Sequence, residues 1–391
     1  MRERGRKGFG SFHPPNKREV KMRRFKGLWI GLLTVLVVFT WTTGFCFERV
    51  KFGVIADTHM GLAVEGIKDE FKMTISSVDL LRSAVNEFNK VGDLDFVVLC
   101  GDITLDAEPW NVEIIKAVMD ELRMPYYIVL GNHDLSPVPK PRKFPGPPPA
   151  RGVTRSTFVW TFQGHGYRGP EYWWSLDPIP GLHLVGLDTN APGTWGGHIV
   201  RKQLQWLDRD LYANPDKLTI VVSHHNFVPW HKNDETAEWK SYNNFVVDNA
   251  GEVRKIFEKY PQVSFVLTGH RHIGLRHKKV NDVYYIVNPA VCSYPMRYQV
   301  YTLTHDNLSW VSKNVPATED IWKRAKANVI GKPGNWWRCS DHPEGPAGDR
   351  KMLEFFEAKE FMKGTVPVRF KAERYGEFKL PSEGLLAAVV R

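Results

Sequence analysis

Cysteine is scarce in this chain, which has four among 391 residues. A small disulfide-linked scaffold is therefore excluded, because such folds replace a large hydrophobic core with many cross-links. Long apolar runs are equally scarce. The longest, Leu28–Trp41, has 14 residues, whereas a helix needs about 20 to span a bilayer. A polytopic membrane protein is therefore excluded as well.

Acidic residues are fewer than basic ones, and the basic surplus is concentrated at one end. The whole chain carries a net charge of +10, and residues 1–26 hold ten basic against two acidic side chains. The remaining chain is close to neutral, so we expect no nucleic-acid partner. A basic arm followed by a short apolar run is instead typical of a secretory signal.

We therefore expect residues 1–48 to be a basic n-region with a signal peptide or signal anchor, and the rest of the chain to be exported to the periplasm or beyond the cell. Thr42 and Gly44 are small residues that would suit cleavage before Phe45. Because Phe45 is bulky, an uncleaved anchor at residues 27–45 stays open. Membrane contact is expected only through this segment, and the sequence carries no signal for the oligomeric state.

The part of the chain after the apolar run opens with a β-α-β-α-β pattern. Apolar runs at Val50–Ala56, Phe96–Cys100 and Tyr126–Leu130 predict strands, and two stretches between them have helical spacing of apolar residues. Strands joined through helices lie parallel, so their carboxyl ends meet at one edge of the sheet, where α/β folds bind ligands.

More strands follow between residues 172 and 303 than one open sheet accommodates. We therefore expect an α/β fold with two packed mixed β-sheets and helices outside them, forming a catalytic domain over residues 49–310. Residues 311–391 match no motif. Trp336 and Trp337 suggest that this C-terminal extension packs on the catalytic domain rather than trailing free.

Side chains of the kinds that bind divalent metals follow five of these apolar runs. They occur in Asp-Thr-His, Cys-Gly-Asp, Gly-Asn-His-Asp, Ser-His-His-Asn and Gly-His-Arg-His. Carboxylate, carboxamide and imidazole donors in this number suit a pair of first-row cations, so the set predicts a binuclear centre that hydrolyses a phosphate ester. The candidate ligands are Asp57, His59, Asp102, Asn132, His224, His270 and His272.

With these motifs in this order, the chain resembles the calcineurin-like metallophosphoesterases over about residues 50–303. The resemblance implies a four-layer α/β/β/α sandwich with two metals at the joint edge of its sheets. Asp57, His59 and His272 would then hold one metal. Asn132, His224 and His270 would hold the other, and Asp102 would bridge both.

Two divalent cations need an anionic bridge to offset their repulsion, and together they lower the pKa of a shared water. We therefore expect a metal-bridging hydroxide to attack phosphorus in small phosphate mono- or diesters. The donor set suits Mn, Fe, Zn or Co and does not distinguish among them.

His133 directly follows the candidate ligand Asn132, and we expect it to act on the substrate as a catalytic residue. Asp134 either orients His133 or caps the next turn. His225 competes with His224 for the ligand role, and the resemblance favours His224.

The resemblance leaves several functions open. Leu105 stands three residues after Asp102, where purple acid phosphatases have Tyr, so that subgroup is disfavoured. The remaining group contains cyclic-nucleotide phosphodiesterases and glycerophosphodiesterases. Besides an active phosphoesterase, a cyclic-nucleotide phosphodiesterase and a non-catalytic, metal-stabilised binding module of the same fold are the alternatives.

Three further features have two interpretations each. The proline-rich stretch at residues 135–151 is either a stiff loop at the rim of the site or a disordered insertion. The aromatic stretch at residues 158–174 either stacks on a substrate or packs between the sheets. Cys292 and Cys339 either form a disulfide or stay as free thiols.

Overall fold

The computed structural model describes residues 47–64, 66–135, 152–235, 238–239, 242–330 and 346–369. The expected signal or anchor segment, the proline-rich stretch from residue 136 and Cys339 lie outside these residues. The pairing of Cys292 with Cys339 therefore stays a prediction. Among the described residues, no helix is both long enough and apolar enough to cross a bilayer.

The predicted β-α-β-α-β opening is present and forms half of the first sheet. Strands β1 (Arg49–Ile55), β2 (Phe96–Leu99) and β3 (Tyr126–Ile128) are parallel neighbours, connected by helices α1 (Ser77–Val91) and α2 (Pro109–Met119). All four residues of β2 are buried, as expected for a strand covered on both faces.

Helix α1 packs closely on β1 because one residue of that strand has no side chain. A Cβ atom at Gly53 would lie 2.5 Å from the ring of Phe88, so only glycine permits this contact. The helix ends where Gly92 adopts a left-handed conformation with φ of 79°. Ile75, which the apolar spacing places on this helix, lies before α1 and is exposed.

The next part of the chain forms the second sheet and the helices beside it. Its elements are α3 (Arg155–Thr161), β4 (Trp174–Ile179), β5 (Leu182–Gly186), α4 (Arg201–Ala213), β6 (Leu218–Val222), β7 (Glu238–Trp239), β8 (Tyr242–Asn243), α5 (Ala250–Lys259), β9 (Val263–Thr268), β10 (Arg276–Val280) and β11 (Val283–Val287). The second sheet contains six of these strands in the order β10-β11-β9-β6-β5-β4, and a separate two-stranded hairpin, β7 and β8, precedes α5. Helices α4 and α5 cover the outer face of the sheet, where Leu207, Leu211, Val253 and Phe257 form an apolar cluster with it.

The chain then returns to the first sheet and completes it. Strand β12 (Arg297–Thr304) is antiparallel to β1, and β13 (Asn307–Asn314) is antiparallel to β12. After helices α6 (Glu319–Ala327) and α7 (Pro346–Glu357), β14 (Lys363–Pro367) pairs with β13 at the edge.

A large buried cluster joins the two sheets. It includes Val54 and Leu99 of the first sheet together with Ile220 and Leu267 of the second. The expected α/β architecture of two mixed sheets flanked by helices is therefore confirmed.

Candidate metal centre

The candidate ligands lie where five strands end, at one edge of the two sheets. Backbone hydrogen bonds hold the loops that carry them together: Asp57 N–H donates to the Gly101 carbonyl at 3.1 Å, and Gly269 N–H donates to the His224 carbonyl at 3.1 Å. The edge thus brings together groups that are more than 200 residues apart. The side chains that meet there are Asp57, His59, Asp102, Asn132, His224, His270 and His272.

Five of these seven residues have a left-handed backbone, which non-glycine residues rarely adopt. Such conformations cost about 1–3 kcal/mol each and persist where the surroundings impose them, most often at functional sites. The φ angles are 54° for Asp57, 40° for His59, 52° for Asp102, 69° for His270 and 51° for His272.

Glycine before a ligand is a steric requirement here. A Cβ atom at Gly131 would lie 2.2 Å from Asp102 Oδ1, and one at Gly269 would lie 2.6 Å from Asp57 Oδ2. Any larger residue would push these carboxylates out of position. The packing explains why Gly precedes Asn132 and His270 in their motifs.

One half of the centre contains a carboxylate and two imidazoles. His59 Nε2 lies 3.0 Å from His272 Nε2. Asp57 Oδ1 lies 3.3 Å from His272 Nε2 and 3.9 Å from His59 Nε2. All three side chains are buried, so water does not screen their charges.

The other half has no carboxylate of its own. His224 Nε2 lies 3.0 Å from both Asn132 Oδ1 and His270 Nδ1. Asp102 stands between the halves, because its Oδ2 lies 3.3 Å from His59 Nε2 and 3.2 Å from His224 Nε2.

Hydrogen bonds determine which ring nitrogens face the centre in the second half. His224 Nδ1–H donates to the Cys100 carbonyl at 2.8 Å, and His270 Nε2–H donates to the Asn244 carbonyl. A carbonyl only accepts, so in the neutral rings His224 Nε2 and His270 Nδ1 carry lone pairs that face each other. Either a proton or a metal ion between them relieves that repulsion.

The distances also fit metal ligation. Ligand atoms about 2.1 Å from one cation lie roughly 3 Å apart when the angles between bonds are near 90°. The donor separations given above run from 3.0 to 3.9 Å, and several groups of three His, Cys or carboxylate atoms lie within 4.8 Å of one another. The residues present therefore fit divalent metal ions.

Burial lowers the pKa of His59, His270 and His272, which favours the neutral imidazole that binds metals. Burial also acts to lower the pKa of His224, but the charge of Asp102 and a hydrogen bond to it outweigh burial and raise that pKa to about 9. Without a metal, a proton therefore occupies this position.

His133 lies beside the centre, and its ring is held by the backbone. Its Nδ1–H donates to the Leu105 carbonyl, which leaves Nε2 as an acceptor 3.0 Å from Lys72 Nζ. The ring stacks on Trp195 with centroids 4.4 Å apart. The backbone N–H of His133 donates to Asp102 Oδ1 at 2.8 Å, which couples it to the centre.

Asp134 caps a turn and makes no contact with the His133 ring. Its carboxylate accepts from the N–H groups of Gly131, Ile103 and Thr104 at 2.8–2.9 Å. These contacts correspond to the capping role, which is one of the two roles expected for Asp134.

The geometry also distinguishes the two adjacent histidines. His225 Nδ1 lies 2.9 Å from Thr189 Oγ1, and its Nε2 lies 2.9 Å from the Trp195 carbonyl. Both of its ring nitrogens are thus engaged outside the centre, whereas His224 Nε2 faces the other ligands.

A cavity of about 660 Å³ opens beside the centre. Sequence reasoning missed most of its wall, because these side chains belong to no motif and are dispersed along the chain. The sequence signal available for this wall was Lys72, a basic residue between the first motif and α1, and a single lysine is a weak signal. The missed lining residues include Phe71, Lys72, Trp195 and Phe245.

The aromatic stretch at residues 158–174 takes the packing role among its two interpretations. Tyr167 and Trp174 are buried, and the Trp174 indole donates to the Ile128 carbonyl at 2.9 Å. Trp160 is 70% exposed, and none of the three lines the cavity.

Comparisons with known proteins agree with this architecture. A family model described as calcineurin-like phosphoesterase matches residues 50–274. A relative from Arcobacter nitrofigilis named probable glycerophosphodiester phosphodiesterase is 25% identical over 175 residues, which cover 44% of this chain and 55% of the relative. A 3',5'-cyclic-nucleotide phosphodiesterase from Nostoc sp. is 24% identical over 253 residues, covering 62% of this chain and 79% of the relative.

A solved structure shows the same fold. A dimetal phosphatase from Danio rerio superposes with a TM-score of 0.53 at 18% identity, covering 68% of this chain and 96% of that one. The chain matches little more than half the length of the Arcobacter relative. Because the family model matches more than half of its residues, the chain belongs to the calcineurin-like phosphoesterase family.

Proposed function

We propose that this phosphoesterase holds two divalent metal ions and hydrolyses small phosphodiesters at the joint edge of its sheets. The observation that carries the proposal is the convergence of seven metal-binding side chains at one edge of the sheets, where His224 Nε2 lies 3.0 Å from His270 Nδ1 and 3.2 Å from Asp102 Oδ2. Asp57, His59 and His272 would hold one metal. Asn132, His224 and His270 would hold the other, with Asp102 common to both.

A bound metal pair supplies Lewis acidity and lowers the pKa of a shared water for attack on phosphorus. The residues of the chain do the rest. Asp102 contributes the negative charge between the halves. His133 lies next to the ligands with Nε2 at the cavity wall, 3.0 Å from Lys72 Nζ. With a proton on Nε2 as well as on Nδ1, it would stabilise charge on phosphoryl oxygens or protonate the leaving oxygen.

The cavity supports an organic phosphodiester as the substrate. Its volume of about 660 Å³ is in the range of small-molecule sites, and Phe71, Trp195 and Phe245 give it apolar walls. Phosphodiesterase is also the activity in the names of the two relatives. A cyclic-nucleotide phosphodiesterase is the second candidate, favoured by the Nostoc relative.

Activity of the metal-loaded chain against three substrates tests the proposal. We expect turnover of an aryl phosphodiester that exceeds turnover of the matching phosphomonoester, with 3',5'-cyclic AMP as the third substrate. A fast reaction with cyclic AMP would favour the second candidate. If the chain binds two metal ions yet hydrolyses none of the three, the non-catalytic binding module is the better description.

We also propose that the catalytic domain is exported, as the basic and apolar residues ahead of it predict. A fusion of residues 1–60 to a reporter that is active only in the cytoplasm tests this location. The expected result is no reporter signal, and a strong signal contradicts export. N-terminal sequencing of the mature protein then distinguishes cleavage near Gly44 from a retained anchor.

A further inference from the structure

A loop between the first motif and α1 brings an amine to the metal centre. We call residues 66–76 the lysine loop. Lys72 Nζ lies 3.0 Å from His133 Nε2 and 3.1 Å from His59 Nδ1, and Lys72 lines the cavity together with Asp102 and Asn132. The amine therefore lies at the point where the predicted catalytic residue, a predicted ligand and the cavity meet.

Lys72 has no carboxylate within ion-pair distance in the part of the chain that the structure describes. Lys72 is half-buried, and the carboxylates of Asp102, Asp106 and Asp57 act on its amine from beyond that distance. An amine also keeps N–H donors in either protonation state, so its capacity to donate does not depend on its charge. An anionic group in the cavity would be its missing partner.

The C-terminal extension holds the lysine loop in place. Arg324 of α6 contacts Asp69 Oδ2 through Nη1 at 2.8 Å. Asp69 in turn accepts from Ser76 Oγ at 2.6 Å and from the N–H of Ile75 at 2.8 Å. The Asn328 side chain donates to the Glu70 carbonyl. Helix α6 and the residue that follows it thus contact the loop at Asp69 and Glu70, shortly before Lys72.

A second contact from the extension reaches the loop beside Lys72. The Phe71 ring stacks on His272 with centroids 5.5 Å apart and meets the edge of Phe356, in α7, at 6.3 Å. Both helices lie beyond residues 50–274, which the family model matches. The position of Lys72 is therefore set by a part of the chain outside the family match.

We propose that Lys72 donates a hydrogen bond to a phosphoryl oxygen of the substrate, and that Arg324 positions it from α6. The inference rests on the proposed function, because it assumes a phosphate group beside the metal centre. Lys72 is then a catalytic residue. Arg324 is a positioning residue, since it acts only through the loop.

Binding of inorganic phosphate tests the role of Lys72 without requiring turnover. The full chain loaded with Mn²⁺ is titrated with phosphate by calorimetry, comparing the wild type with Lys72→Gln, Lys72→Arg and the control Lys323→Gln. Lys323 neighbours Arg324 on α6, is exposed and pairs with Glu319, so its change removes the same charge elsewhere. We expect Kd to rise about tenfold in Lys72→Gln, less in Lys72→Arg and not in the control.

Kinetics on the aryl phosphodiester test positioning through a double variant. Lys72→Gln should lower kcat/KM by about tenfold or more, and Arg324→Gln should lower it several-fold, with Arg324→Lys restoring part of the loss. Because Arg324 acts through Lys72, adding Arg324→Gln to Lys72→Gln should cost almost nothing further. Multiplying losses would instead assign Arg324 a general structural role and overturn its assignment.

Metal content, measured on every variant, completes the test. Two ions per chain and unchanged phosphate affinity in Lys72→Gln overturn the inference. Loss of metal in Lys72→Gln and Lys72→Arg alike would also overturn it, because Lys72 would then only support His59. If the wild type hydrolyses nothing but Lys72→Gln still weakens phosphate binding, the inference holds while the proposed function fails.

Discussion

The two halves of the candidate metal centre achieve a similar geometry in different ways. In the first half, Asp57 supplies a charge, while the ring partners of His59 and His272 are side chains: Lys72 Nζ at 3.1 Å and Ser293 Oγ at 2.6 Å. These partners are adjustable, because both are side chains that can rotate and the Ser293 hydroxyl can donate or accept.

In the second half, the charge is missing but the orientation is fixed. Asn132 offers a neutral amide oxygen, and the rings of His224 and His270 are held by backbone carbonyls that only accept. The ring nitrogens that face the centre in this half are therefore set before any metal arrives.

The first half thus has the stronger electrostatic attraction for a metal ion, whereas the second half has its ligands oriented in advance. A carboxylate facing a divalent cation in a buried site contributes more than a preferred neutral tautomer does, because charge interactions are strong where water is excluded. We therefore expect the Asp57 half to bind its metal more tightly. The second half, oriented but poorer in charge, should exchange its metal more readily.

The most disruptive change removes the residue that the halves share. Asp102→Asn takes away the charge that lies 3.3 Å from His59 Nε2 and 3.2 Å from His224 Nε2. We expect loss of at least one metal and of nearly all turnover. Metal analysis and kcat/KM measure this, with the exposed Asp216→Asn as a control. Two bound ions and normal rates in Asp102→Asn would falsify the bridging role.

The next change should leave both halves intact and slow the chemistry. His133→Ala removes a ring that contacts the cavity wall, while its neighbour Asn132 stays in place as a ligand. Turnover should fall by about a hundredfold with metal content unchanged, and more for substrates with poor leaving groups. A collapse of metal content would mean that His133 supports the ligands rather than the substrate.

A third change tests the comparison of affinities directly. Asp57→Asn removes the charge of the first half but keeps an acceptor for the His270 N–H, which lies 3.0 Å from either carboxylate oxygen. In a calorimetric titration with Mn²⁺, the wild type should show two steps. The tighter step should weaken by roughly ten- to a hundredfold in the variant. If the weaker step changed instead, the order of affinities would be reversed.

The smallest expected effect concerns a histidine that contrasts with both halves. His183 in β5 lies between Asp177 at 2.7 Å and Asp210 at 2.8 Å. Burial acts to lower its pKa, but these two carboxylates outweigh burial and raise it above the ordinary value. Two carboxylates thus favour the charged form of this ring, whereas burial favours the neutral form of His59, His270 and His272.

The raised pKa has a definite sign for stability. Its contribution to the free energy of unfolding is complete below the unfolded-state pKa of about 6.5 and is lost as pH rises through the folded-state pKa. Its size is on the order of 1 kcal/mol, since Asp177 is partly exposed. Urea unfolding across that range should show the decline in the wild type but not in His183→Gln. If the free energy of unfolding changed equally with pH in both proteins, the contribution of His183 would be contradicted.

Much of the fold followed from local patterns. The alternation of apolar runs and helical stripes predicted β1, α1, β2, α2 and β3, and the structure contains all five. The region after Asn314 was not predictable in this way, because β14 is an edge strand whose partner β13 lies some 50 residues earlier. Its formation depends on a long-range pairing rather than on local periodicity.

The candidate site was predictable in part for the same reason. Each ligand follows a strand and a tight turn, so its place at a sheet edge could be inferred from neighbouring residues. Lys72 and Trp195 lie in loops without a regular pattern, and nothing near them in sequence indicates a cavity. Their contacts with His133 arise only when separate loops meet.

By itself, the sequence determined the chemical kinds of ligand, their order and the strand ends that carry them, because these depend on residue type and short-range periodicity. The tertiary structure alone decided which ring nitrogens face the centre, which of His224 and His225 points inward, and where Lys72 lies. Those properties depend on backbone carbonyls, buried carboxylates and a C-terminal helix far away along the chain. Hydrogen-bond partners at such separations are set by packing, which no local pattern encodes.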